Sequence, residues 1–108
     1  MSRDKGYLID ILEAARLAAS YVAGMDKAAF LKNPTVQPAV IYQVMVIGEA
    51  TKRLSDPFRK AHPEIPWAEM AGMRDVLIHD YGDTSPEEVW DTVTVSIPLL
   101  ISQVEPLC

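Results

Sequence analysis

Arg74, His79 and Tyr81 stand in the pattern R-x4-H-x-Y within the stretch RDVLIHDY, residues 74–81. A guanidinium can hold a phosphate and offset the charge that builds in a transition state. An imidazole moves protons near neutral pH. A phenol can hydrogen-bond a substrate or accept a modification. With average residue usage the triple arises by chance in roughly one in several hundred chains of this size. The bare R-x4-H pair arises in about one chain in ten, so the tyrosine and its neighbours carry the signal.

Helical spacing sets how these groups can meet. At 100° per residue, Arg74 and Tyr81 share nearly one face, whereas Arg74 and His79 diverge by about 140°. A straight helix therefore points the arginine and histidine apart. Either the helix loosens near Gly82, or two chains related by a twofold axis bring Arg74 of one subunit to His79 of the other. Asp75 and His79, at i and i+4, can touch, which would favour the protonated imidazole and fix its orientation. The plain alternative is a surface helix ion pair worth about 0.3–0.5 kcal/mol.

The elements that must hold the motif are helical. Strand alternation never persists, and prolines punctuate helix-like segments. A first helix is expected from about Asp4 to Ala23, with Leu8, Ile11, Leu12, Ala15, Ala18, Ala19 and Val22 as its apolar stripe and Gly24 at its end. Asp26 is placed to cap a short helix that stops before Asn33-Pro34. The next helix, from about Thr35 to Leu54, is apolar on more than one face and so is central or pressed on a partner. Gly48 within it suits a close helix crossing, and Glu49 reads as its exposed edge. Residues 55–66 form a proline-rich connection with one helical turn. Pro66 then opens a helix that runs through the motif to Gly82, with Met70, Met73 and Leu77 inward. Ser85, Pro86 and Glu88 start the last helix with a capping box, and Pro98 should kink or break it. The expected fold is all-α, an up-and-down bundle of four long helices plus one or two short ones, in one domain over residues 1–108.

Composition narrows the setting. The longest apolar runs are broken well before the roughly 18 residues a bilayer span needs. The start MSRDKGYLID has no signal-peptide core, so a soluble cytoplasmic protein is expected. Cys108 is the only cysteine and cannot form an internal disulfide, and no metal-ligand cluster is present. The net charge of −5 argues against a general nucleic-acid coat protein. Even so, Lys52, Arg53, Arg59, Lys60 and His62 gather in one segment, and no lysine or arginine follows Arg74. Those cations can follow an RNA backbone. Of the remaining conspicuous residues, His62 reads as an exposed loop residue, and Trp67 and Trp90 as core or interface anchors.

Three blocks carry a family resemblance: VIGEATKRL (residues 46–54), HPEIPWAEMAGMRDVLIHDYGD (62–83) and EEVWDTV (87–93). With them the chain resembles the HepT-like branch of the HEPN superfamily, toxin partners of minimal nucleotidyltransferase antitoxins. The resemblance implies a helical homodimer with a composite cleft at its interface. It implies metal-independent RNA cleavage by Arg74 and His79. Asp75 and Glu49 are expected as supporting residues, and a tRNA or mRNA as the substrate. It implies that Tyr81 accepts AMP from the nucleotidyltransferase, which silences the toxin. No cofactor is implied on this chain, since the partner uses the ATP, and no membrane is involved. One position departs from the pattern: the residue after the arginine is commonly asparagine in the family and is Asp75 here. A rival from another class is a dimeric scaffold that binds a nucleotide or phosphate without cleaving it, a reading the acidic balance and Asp75 favour.

Overall fold

The structure is a computed structural model that describes residues 2–77 and 85–108. His79 and Tyr81 lie outside the described residues, as does the expected helix stop at Gly82.

Helix α1 (Ser2–Tyr21) buries the stripe read from its spacing, with Ile11, Ala15 and Ala18 wholly enclosed. Gly24 follows with φ of 79°, a left-handed conformation that glycine adopts without steric cost. Asp26 caps α2 (Lys27–Leu31) by accepting a 2.8 Å bond from the Ala29 N–H. The turn into α3 (Val36–Arg53) is organised by a residue the sequence marked only as a stop. Asn33 Oδ1 accepts from the N–H groups of Thr35 and Val36 at 3.1 and 3.0 Å.

Helix α3 is the centre of the bundle. Val40, Val44 and Ile47 are fully buried, and α3 packs most extensively on α1 and further on α5 and α6. Its buried polar groups are satisfied. Thr51 Oγ1 donates to the Ile47 carbonyl at 2.7 Å, and Gln43 Nε2 donates to the Tyr21 hydroxyl at 3.1 Å. Ser55 then caps α4 (Asp56–Ala61), fuller than the single turn expected, by accepting from the Phe58 N–H at 3.3 Å.

The helix expected to run unbroken from Pro66 is divided. Pro66 occupies the cap, its carbonyl accepting from the Met70 N–H at 3.0 Å, and α5 (Trp67–Ala71) ends at Gly72. Helix α6 (Met73–Leu77) begins at once, with the Asp75 N–H bonded to the Gly72 carbonyl at 2.9 Å. That three-residue bond is tighter than an α-helical turn. Glycine is the weakest helix former after proline, which makes it the natural point of division.

The last long segment passes its proline without a break. Helix α7 (Pro86–Asp91) leads into a π-helical turn (Thr92–Ser96) and then α8 (Ile97–Val104). The Ile97 N–H reaches back five residues to the Thr92 carbonyl. Pro98 has no N–H for the usual four-residue bond, and the wider turn immediately before it absorbs the misfit. A short 3-10 turn (Glu105–Leu107) follows, where Glu105 pairs with Arg16 of α1. The described residues thus form the expected all-α bundle, with two of its long segments interrupted. None of their helices is long and apolar enough to cross a membrane.

The expected close crossing falls at Gly48. A Cβ there would lie 3.2 Å from the Ala71 carbonyl oxygen, a backbone atom that cannot rotate aside. Gly48→Ala sets about 1 kcal/mol of helix propensity against that contact. Gly48→Val adds branches with nowhere to go and should destabilise by about 1–3 kcal/mol. Urea unfolding tests this, and a midpoint as high as the parent's would show that α3 and α5 do not approach so closely.

Candidate active site

The crossing at Gly48 fixes α5, and Arg74 follows Ala71 by three residues, in the first turn of the next helix. The Arg74 side chain is 46% exposed, and among the described residues it makes a long 3.4 Å bond from Nη1 to Asp75 Oδ1. Nearly half of the side chain faces solvent, where a guanidinium can engage an anion. Asp75, more exposed still, faces the same solvent. Among the described residues the helix loosens before Arg74, at Gly72, and the expected loosening near Gly82 lies outside them. The Arg74–His79 and Asp75–His79 relations and the position of Tyr81 fall outside the described residues.

Glu49 is the exposed helix edge its context suggested, with Lys52 Nζ 4.0 Å from its carboxylate. The basic segment divides into two kinds of cation. Lys52 faces Glu49, and Arg59 is tied to Asp56 at 2.6 Å. Arg53 and Lys60 are exposed and have no acidic partner among the described residues.

His62 is a correction. Its ring is half-buried rather than exposed, lying 4.7 Å from that of Phe58, with Nδ1 3.7 Å from a Glu64 carboxylate oxygen. Its carbonyl accepts from the Trp67 indole N–H at 2.9 Å. His62 thus closes the connection onto α5. Trp67 is buried, and Trp90 packs against Phe30 at 5.3 Å, so both tryptophans are anchors as expected.

Sequence reasoning missed a cleft between α1 and α4. It is lined by Arg3, Asp4, Tyr7, Arg53, Ser55, Pro57 and Phe58 and encloses about 800 Å³. Its floor is a joint between residues 51 positions apart. The Ser55 N–H donates to Asp4 Oδ1 at 2.8 Å, and the Ser55 hydroxyl donates to Oδ2 at 2.7 Å. The same hydroxyl oxygen caps α4. An aspartate near the start of a helix gives no sequence signal for a partner so distant.

The described residues form a helical bundle with Arg53, Lys60 and Arg74 on its surface. The chain belongs to the Ribonuclease HepT-like family, whose model matches residues 11–107, and with it to the HEPN superfamily. It is 43% identical over 103 residues to "Probable ribonuclease HepT" of Thermococcus cleftensis, covering 95% of this chain and 94% of that one. It is 36% identical over 107 residues to "Putative RNase TTE0752" of Caldanaerobacter subterraneus subsp. tengcongensis, covering 99% and 96%. No solved structure matches the chain.

The joint makes a pH prediction. The Ser55 backbone N–H first, and its hydroxyl second, hold the Asp4 carboxyl below its ordinary value of 3.8. A depressed folded value means the ionised form stabilises the fold above the unfolded value, and this is lost as pH falls through the folded one. Asp4→Ala should therefore melt below the parent at neutral pH. The gap should narrow as pH drops under 3.8 and the parent's carboxylate protonates. Thermal melts across that window check this, and a gap that stays constant into acid would refute it.

Proposed function

We propose that this chain is a metal-independent endoribonuclease, the toxin of a toxin–antitoxin pair. The observation that carries the reading is the exposed Arg74 of an R-x4-H-x-Y motif on a chain of the Ribonuclease HepT-like family. The ribonuclease names of relatives aligned over nearly the whole chain support it.

The RNA 2′-OH attacks the adjacent phosphorus, and the P–O5′ bond breaks. His79 moves the protons, off the 2′-OH and onto the leaving 5′-oxygen. Arg74 stabilises the charge gathered on the phosphorane-like oxygens. On an ideal helix Arg74 and His79 would diverge by about 140°; a homodimer supplies the missing approach, and its two histidines divide the acid and base roles. Asp75, four residues before His79 in sequence, orients it. No cofactor is needed on this chain.

Control comes from a minimal nucleotidyltransferase that spends ATP to place AMP on Tyr81. Tyr81 is seven residues from Arg74, a spacing that on an ideal helix would bring the phosphodiester charge to the same face, where it occupies the phosphate site and repels incoming RNA.

The test is cleavage of total RNA and purified tRNA in EDTA by protein shown by mass spectrometry to carry no AMP on Tyr81. Cleavage should persist in EDTA and vanish in Arg74→Ala/His79→Ala. Arg74→Ala by itself should shift stability by no more than about 0.5 kcal/mol, since the residue is exposed and weakly partnered. Its lost activity would then report chemistry rather than unfolding. No cleavage by verified unmodified dimer would instead favour the non-catalytic nucleotide-binding scaffold.

Tyr81→Phe separates catalysis from control. It should cleave RNA like the parent and resist silencing by the nucleotidyltransferase with ATP. A Tyr81→Phe protein that is still fully silenced would remove this model of control.

A further inference from the structure

We propose that the cleft between α1 and α4 is a subsite for an unpaired nucleotide of the RNA, with its phosphate on Arg3 and Arg53 and its base against Tyr7 and Phe58. The inference rests on the ribonuclease reading and deepens it.

Four observations converge on this cleft. Its volume of about 800 Å³ is within the range of pockets that take a small ligand. Arg3 and Arg53 both line it, are exposed, and have no acidic partner among the described residues. Two guanidinium groups on one cleft, drawn from α1 and α3, suit a phosphodiester better than a single surface cation does. Asp4, the one acid in the lining, directs both carboxylate oxygens at Ser55. Finally, two aromatic rings line it, Tyr7 from α1 and Phe58 from α4. Phe58 is half-buried and packs on His62 and Trp67, whose ring centroids lie 4.7 and 5.8 Å away. A braced ring loses little freedom when a base stacks on it, and stacking accepts any base.

Duplex RNA, whose bases are already stacked and paired, cannot use the rings.

The test is fluorescence anisotropy with a labelled single-stranded RNA oligonucleotide of mixed sequence and a duplex of the same sequence. The protein is the full chain carrying His79→Ala, so that the probe survives. Arg3→Ala/Arg53→Ala on that background should weaken single-strand binding at least about tenfold. It should also flatten the log–log salt slope by about 1.4, two phosphate contacts at about 0.7 each. Tyr7→Leu, which keeps an apolar side chain, should weaken single-strand binding about tenfold and leave duplex binding unchanged. Thermal melts confirm that each variant is folded. Single-strand binding untouched by these substitutions overturns the cleft and leaves the ribonuclease reading standing. No RNA binding by the His79→Ala parent overturns both.

Discussion

The approach of Gly48 to the Ala71 carbonyl is the contact on which the placement of the motif depends. Helix α3 is apolar on several faces because it is packed on several sides: α1 covers one, and α5 with α6 covers another. A side chain at position 48 would hold α5 further out, since the atom it meets is backbone. With α5 seated, Gly72 breaks the helix and the chain restarts as α6 in a tightened turn, which sets the direction from which Arg74 leaves the bundle. A helix running straight from Trp67 through the motif would carry Arg74 in the fixed register of α5. The division frees it from that register while Met70 and Leu77 on either side remain buried.

The sequence was legible where a local rule and burial agreed. Gly24, Asp26 and Ser85 each ended or opened a helix where their chemistry predicts, and the α1 stripe went inward as its spacing required. Reading failed where a second element decided the outcome. Whether Gly72 ends a helix depends on tertiary packing, because its φ of −92° is open to any residue. Pro98 signalled a kink, but periodicity carries no sign that a π-helical turn will precede it and keep the segment continuous. His62 looked exposed beside Pro63 because the Phe58 ring and the Trp67 indole that enclose it are brought there by the turn. For the site, residue type found Arg74 and the basic segment, but not which cations were already engaged. Two of those four face carboxylates of their own helices, and Arg3 at the far end of the chain joins Arg53 across the Asp4–Ser55 joint.

That joint also bears on how an acidic chain can hold a polyanion. A net charge of −5 is unfavourable for RNA only if the charge is spread evenly over the surface. Here the carboxylate that lines the cleft with Arg3 and Arg53 has both oxygens turned to a serine N–H and hydroxyl. Those bonds stabilise its ionised form without using a side-chain cation as its partner. Had Asp4 instead paired with Arg3 or Arg53, the cleft would have lost an exposed guanidinium. The fold therefore satisfies an acid with backbone and hydroxyl donors and leaves the guanidinium groups to solvent.

Asp75 poses the opposite arrangement at Arg74, and magnitudes decide what it does. The two are 3.4 Å apart and both substantially exposed. In water-like dielectric, unit charges near this distance attract by about 1 kcal/mol, and exposed pairs commonly net about 0–1 once side-chain entropy is counted. A phosphodiester offers the guanidinium a charged acceptor that can bind two N–H groups at once, a stronger interaction than one long contact. Asp75 thus tempers Arg74 without occupying it. Its charge also acts on any anion brought to the same guanidinium. Under the proposed function it would weaken RNA and a phosphodiester on Tyr81 in the same direction, and so shift the balance between active and silenced protein less than it shifts either one.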